Sequence, residues 1–436
     1  MTAVVLACSH ADARPGTVEI RFWALGAEGE HVQPLVRDFE RTHPGVRVRV
    51  QQIPFGAAHE KLLTAVVGDA TPDVAQLGNT WVPELATLGA LDAIDARLAR
   101  STAIARPDYF PGVWAMNVVD GKTYGVPWYV DTRLLFYRSD LYARVGVPAA
   151  PRSWAEWVEA MRRVRAVQPP GGAPALLPLN EFEMPVIVML QSGAPLLKDD
   201  GTRGNFRDPR VRAAFEFYVS LFKQGLAPTL ANTQISNVYQ ELGSGRFTMF
   251  ITGPWNLSEM RKRLGDSMSG AWTTAPMPGP DGAASGTSIP GGSSLVLFRG
   301  RGHGDVRRRD AAWQLVEYLS APAQQLGFYE ATGDLPARET PWRDPRLAGD
   351  PKTAAFLTQL RRLTPVPRVP EWELIASRVA QAVERAARGV ATTDEALATL
   401  DDEVDEILEK RRYLIARAAA RPVAGGDTAL HRGRRR

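Results

Sequence analysis

Between residues 17 and 77 the chain alternates strand and helix patterns at short spacing, and this limits its folds more than any other feature. Val18, Ile20 and Phe22 alternate with Glu19 and Arg21, the period of a strand with one buried face. After a turn at 26–29, Val32, Leu35, Val36 and Phe39 recur at helical spacing, and His43-Pro44-Gly45 stops the helix. Val46, Val48 and Val50 alternate again. Leu62, Leu63, Val66 and Val67 mark a second helix, and Thr71-Pro72 leads into a short apolar strand at 73–77. Strand, helix, strand, helix, strand in this order predicts a parallel sheet with helices on its faces. Ligands of such sheets bind beyond the carboxyl ends of the strands. Here those ends carry the loops 26–30 and 78–81.

Further strands are expected at 134–137 and 247–251, and helices at 154–167, 184–191, 211–223, 237–242, 313–319, 354–363 and 375–388. A last amphipathic helix at 393–420 carries Leu397, Leu400, Val404, Ile407 and Leu408 on one stripe. Residues 275–292 are rich in Gly, Pro and Ser and read as a crossing segment, with a second break at 332–336. A chain of 436 residues exceeds one ordinary domain, and no internal repeat is seen.

The net charge of +4 is a property of the tail. Residues 417–436 hold six arginines against Asp427, which leaves the rest of the chain close to neutral. A nucleic-acid footprint would lie along a folded face, so no nucleic-acid partner is expected, and the tail reads as disordered. One cysteine, Cys8, excludes an internal disulfide and a multi-thiolate metal site. It ends the apolar run Val4-Val5-Leu6-Ala7, which resembles a lipoprotein signal shortened at its start, so Cys8 is a candidate for lipidation. The alternative is an incidental thiol.

Enzyme signatures are missing. There is no GxxxxGK[ST], no GxGxxG after a strand and no G-x-S-x-G elbow. His59-Glu60 begins like a zinc helix, but the second histidine position holds Leu63. No catalytic residue, cofactor or metal is expected. The informative loops instead place aromatic residues beside polar ones at strand ends: Trp23 to Glu28, Asn79-Thr80-Trp81, Trp128-Tyr129-Val130-Asp131 and Gly253-Pro254-Trp255-Asn256. Sugars have apolar C–H faces and hydroxyl rims, and such loops supply stacking surfaces with hydrogen-bonding partners.

Six stretches, in order, resemble the extracellular solute-binding proteins of carbohydrate ABC transporters, in particular the trehalose/maltose-binding branch. They are FWALGAEGEHVQPLVRDFERTHPGVRVRV, TPDVAQLGNTWVPELATLGAL, GKTYGVPWYVDTRLLFYRSDLY, FITGPWNLSEM, AAWQLVEYLSAPAQQLGFYEATGDLPAR and VPEWE. The resemblance implies a periplasmic-binding-protein-like α/β fold of type II, with two α/β lobes joined by a three-segment hinge near 127–132, 283–290 and 332–336. One lobe would comprise 17–128 and 290–332, the other 129–289 and 333–416, after a leader and linker at 1–16. It further implies an α-linked disaccharide bound in the cleft, ABC permease subunits as partners, a monomer, and an extracytoplasmic location with the membrane met only through a lipid anchor.

Site roles follow by position. Glu28 and Asp131 match hydroxyl-binding carboxylates, Tyr129 and Trp255 match stacking aromatics, and Arg338 matches a guanidinium donor. Gly291 and Gly292 match a close approach of backbone amides to the ligand, while Asn79, Trp81 and Glu181 complete the expected lining. Two positions depart from relatives: Gly78 stands where an aspartate is found, and Ser293 where some place a tryptophan. A different small solute, such as a polyol or sugar phosphate, and a carbohydrate-active enzyme stay open as alternatives.

Overall fold

The computed structural model describes residues 16–300 and 304–419 and builds, beside two small two-stranded ribbons, two main sheets whose connections pass between them three times. The first sheet begins with β1 (Val18–Leu25), β2 (Val46–Ile53) and β3 (Val74–Gly78), all parallel, with β1 between the other two. Strand β3 is buried along its whole length, as its apolar run requires. Strand β2 lies at the sheet edge and turns Arg47 and Arg49 to solvent, charges that discourage pairing with another chain.

The same sheet then takes up β4 (Gly125–Val130), after which the chain crosses at 131–133. The second sheet contains β5 (Leu134–Tyr137), β6 (Ala173–Leu176), β7 (Phe247–Thr252) and β8 (Thr273–Ala275), in the order β8-β5-β7-β6. The chain returns through 276–292 to β9 (Ser293–Leu297) and later adds β10 (Leu335–Pro336), giving a first sheet ordered β10-β4-β9-β3-β1-β2. Beyond Glu183 at its start, helix Glu183–Leu190 is apolar on every side, and Met184 to Leu190 are all buried in the second lobe.

Several boundaries differ from the sequence reading. The first sheet runs to Val130 and takes Leu335–Pro336 at its edge, so the lobe limits drawn at 128/129 and 332/333 fall short. The third crossing lies after Pro336, because the next long helix, Pro351–Leu360, packs on β8 of the second sheet. The expected single helix at 393–420 is two, Thr393–Ile407 and Glu409–Ala419, with the first capped by a Thr392–Glu395 box. The second of them continues past 417, where the tail was expected to begin. Cys8, most of the leader and the rest of the tail lie outside the described residues. No described helix is long and apolar enough to cross a membrane.

One apolar cluster runs from the first sheet through the hinge to Phe136 and Trp272 of the second lobe. At its centre Trp128 of β4 stacks on Phe328, with ring centroids 4.3 Å apart. Replacing Trp128 with Ala is expected to cost ~3–5 kcal/mol of stability. Urea unfolding of the purified variant checks this, and a loss below 1 kcal/mol would mean the hinge core is not closely packed.

Candidate functional site

The carboxyl ends of β1 and β3 and the crossing at 131–133 converge on one polar hub. Gln76, fully buried on β3, accepts the Leu25 N–H at 2.8 Å with its Oε1, and its Nε2 donates to the Tyr129 hydroxyl at 3.1 Å. Ser293 Oγ also donates to that hydroxyl at 3.0 Å, and the hydroxyl donates in turn to Glu28 Oε1 at 2.9 Å. Burial, reinforced by the nearby charges of Asp334 and Glu28, pushes the Tyr129 phenol well above its usual range. Tyr129 is therefore a locked donor that aims Glu28. Its ring packs on Trp128 and Phe328 and is not open for stacking.

The double glycine has a steric reason. A Cβ on Gly291 would stand 2.0 Å from Asp131 Oδ1, and one on Gly292, at φ +91°, would stand 2.4 Å from the Tyr129 carbonyl. The Gly291 N–H donates to the Asp131 carbonyl at 2.9 Å, and the Gly292 N–H serves the Asp131 carboxylate. The amides expected to meet ligand thus hold Asp131 instead. Asn79, only 2% exposed, spends its amide on the Gly291 carbonyl at 2.8 Å and on the Ser294 hydroxyl at 2.7 Å. Trp81 is packed between Phe55 and His59.

Arg338 is not at the cleft. It is 7% exposed, its Nε meets Asp108 Oδ2 at 2.6 Å, and its Nη1 donates to the carbonyls of Ala103 and Ser320. Every one of these partners lies in the first lobe, so the guanidinium is a structural cross-link.

Three residues outside the expected lining do stand at the cleft. Arg133 donates to Asp131 Oδ1 at 3.0 Å and to Glu183 Oε1 at 2.6 Å, and its guanidinium lies 4.8 Å from the centroid of the Trp255 ring. Burial works against the charge of Arg133, but Asp131 and Glu183 outweigh it and hold the group above its usual range. Burial likewise raises Asp131, with Arg133 opposing, and raises Glu181, with Glu183 adding. Asp334, beside β10, is pushed up to about 7 by burial and by the charge of Glu28. Arg133 follows Asp131 by two positions and Glu183 follows Glu181 by two, so each lay one residue beyond the neighbour of a position already marked.

Trp255 opens the helix Trp255–Leu264 and is 38% exposed. Its ring lies so close over Gly253 that a Cβ there would approach Cζ3 to 1.9 Å. Glycine at this place lets the indole lie flat at the rim. Beside it a cavity of about 550 Å³ is lined by Arg133, Glu181, Glu183, Tyr239, Trp255 and Asn256 among others. A larger groove of about 990 Å³ opens between the lobes beside Arg368, but no aromatic side chain lines it. The Trp255 cavity, with an indole plane and several acceptors, has the chemistry of a sugar seat.

Two outcomes follow. Arg338→Ala should cost ~3–5 kcal/mol by removing the counter-charge of Asp108, which keeps only the Thr340 N–H and hydroxyl, while leaving ligand affinity within twofold, as read by urea unfolding beside calorimetry. Burial, with the charge of Glu28, pushes Asp334 up to about 7, well above the ordinary carboxylate range. The folded state favours its proton, so its contribution is full below the unfolded value and is lost as pH rises toward 7. Asp334→Asn should therefore raise Tm relative to wild type increasingly from pH 5 to pH 8; a pH-independent difference would contradict the clustering of these acids.

The chain resembles known proteins over most of its length. The model for bacterial extracellular solute-binding proteins matches residues 23–326. The solved sugar-binding protein MalE of Xanthomonas citri is 47% identical, with a TM-score of 0.87, covering 91% of this chain and 99% of that one. The GacH receptor of Streptomyces glaucescens, solved unliganded and with acarbose, is 25% identical with a TM-score of 0.75, covering 90% of this chain and 99% of its own. The diacetylchitobiose-binding protein DasA of Streptomyces coelicolor is 25% identical over 78% of this chain and 77% of its own. The fold is that of the type II periplasmic binding proteins, and the chain belongs to the family of bacterial extracellular solute-binding proteins.

Proposed function

We propose that this chain is the sugar-binding component of an ABC importer, holding an α-linked disaccharide of trehalose or maltose type between its lobes and passing it to a membrane permease. The observation that carries the reading is the half-open Trp255 ring laid on Gly253, beside a cavity rimmed by Glu181, Glu183 and Arg133. The indole offers a flat apolar surface to a pyranose face, and the carboxylates accept from its hydroxyls. Asp131 lies on the crossing between lobes, where it would gain its ligand contact as the cleft closes. The names of MalE, GacH and DasA given above support a saccharide.

The charge balance favours a neutral ligand. Arg133 is already shared by Asp131 and Glu183, and Glu28, Glu181 and Asp334 add further carboxylates around the cleft. A sugar phosphate would want unshared arginines or helix N-terminal amides. The protein works as a monomer in an extracytoplasmic compartment, anchored through Cys8 in this reading.

Calorimetric titration with trehalose, maltose, sucrose, glucose and glycerol phosphate tests the proposal, with chromatography of the mixtures for cleavage. Saturable binding of intact disaccharide is expected. Trp255→Ala and Asp131→Ala should each weaken it at least tenfold, about 1.4 kcal/mol. Released glucose, or preference for glycerol phosphate, would overturn the reading.

A further inference from the structure

The cleft-facing end of the first lobe is longer than the hub at Tyr129 requires. From β4 at the hinge the sheet continues through β9, β3 and β1 to β2 at the edge. Those four steps amount to about 19 Å at ~4.8 Å each. Glu28 follows β1 and Phe55 follows β2, so the two stand along one line leading away from the hinge.

Phe55 is 50% exposed, an expensive position for a phenyl ring on a surface with no structural demand for it. It is also held in place. Its ring centroid is 5.5 Å from that of Trp81 at 42°, and Trp81 in turn meets the His59 ring at 5.2 Å. His59 Nε2 is pinned to Glu84 Oε2 at 2.6 Å. On the other side, the Cβ of Phe55 would lie 3.9 Å from a Cβ placed on Gly26, next to the Glu28 turn. The second lobe reaches the same corner: helix Trp372–Ala387 touches residues 79–81, and the Glu373 carboxylate takes a hydrogen bond from Thr80.

We propose that Phe55, backed by Trp81 and His59 and faced across the lobe junction by Glu373, forms an outer subsite that stacks a further neutral pyranose unit of an oligosaccharide whose inner units lie at Glu28, Asp131 and Trp255. The phenyl supplies the apolar face and Glu373 the acceptor for hydroxyls. A span of this length exceeds a disaccharide, so the disaccharide of that reading becomes the inner part of a ligand of three or more units. This subsite rests on the sugar reading above.

Wild type, Phe55→Ala and Phe55→Tyr are titrated calorimetrically with three matched pairs: maltose and maltotriose, sucrose and raffinose, isomaltose and isomaltotriose. For at least one pair the trisaccharide should bind wild type more tightly. There Phe55→Ala should weaken the trisaccharide at least fivefold and the disaccharide less than twofold, with Phe55→Tyr close to wild type. Equal effects on both lengths, or no trisaccharide preference in any pair, overturns the subsite and leaves the sugar reading intact. Failure of every sugar to bind overturns both.

Discussion

The candidate site depends on Arg133. Carboxylates from four parts of the chain, Glu28, Asp131, Glu181 with Glu183, and Asp334, approach one another at the junction of the lobes, and buried like charges cannot be kept ionised without a counter-charge. Arg133 provides it, with one nitrogen on Asp131 of the crossing segment and another on Glu183 of a second-lobe helix. The same guanidinium lies beside the Trp255 ring, so one side chain relates the hinge, the helix end and the aromatic platform. Arginine suits this task because its planar fork serves two acceptors while its face meets an indole.

The first lobe is tied to that centre by neutral groups. Gln76 lies in the middle of a buried strand, where an amide is costly unless both ends are used, and here both are. Through the Tyr129 hydroxyl it fixes Glu28, and through the two glycines the returning chain clamps Asp131. A clamp needs rigid halves and a few compliant connections. The hydrogen-bonded glycine pair gives a narrow connection whose backbone no larger residue would allow.

Much of the architecture was legible in the sequence because it follows from periodicity. Val18, Ile20, Phe22 and Val46, Val48, Val50 declared two paired strands, and the parallel sheet followed from the helices between them. Trp255 was marked by the aromatic and polar loop at 253–256 and by the resemblance, and it stands half-open beside the second-lobe cavity. Directions of polar side chains were not. Arg338 was placed at the ligand by resemblance, with a salt bridge as the alternative, and Asp108, more than two hundred residues away, claims it. Tyr129 and Asn79 were named for their chemistry, but the returning strand at 293–294 turns both inward. Arg133, Glu183 and Asp334 were passed over because their meaning lies in the company of other charges, which only the fold assembles.

The account comes down to a saccharide held against Trp255 at the junction of two lobes. A crystal structure of the protein grown with saturating maltose measures this directly. The prediction is a pyranose ring parallel to the Trp255 indole, with hydroxyls within hydrogen-bonding reach of Asp131 and of Glu28 or Glu181. Sugar seated in the groove beside Arg368, or a cleft closed over Trp255 with the sugar outside it, would contradict the account.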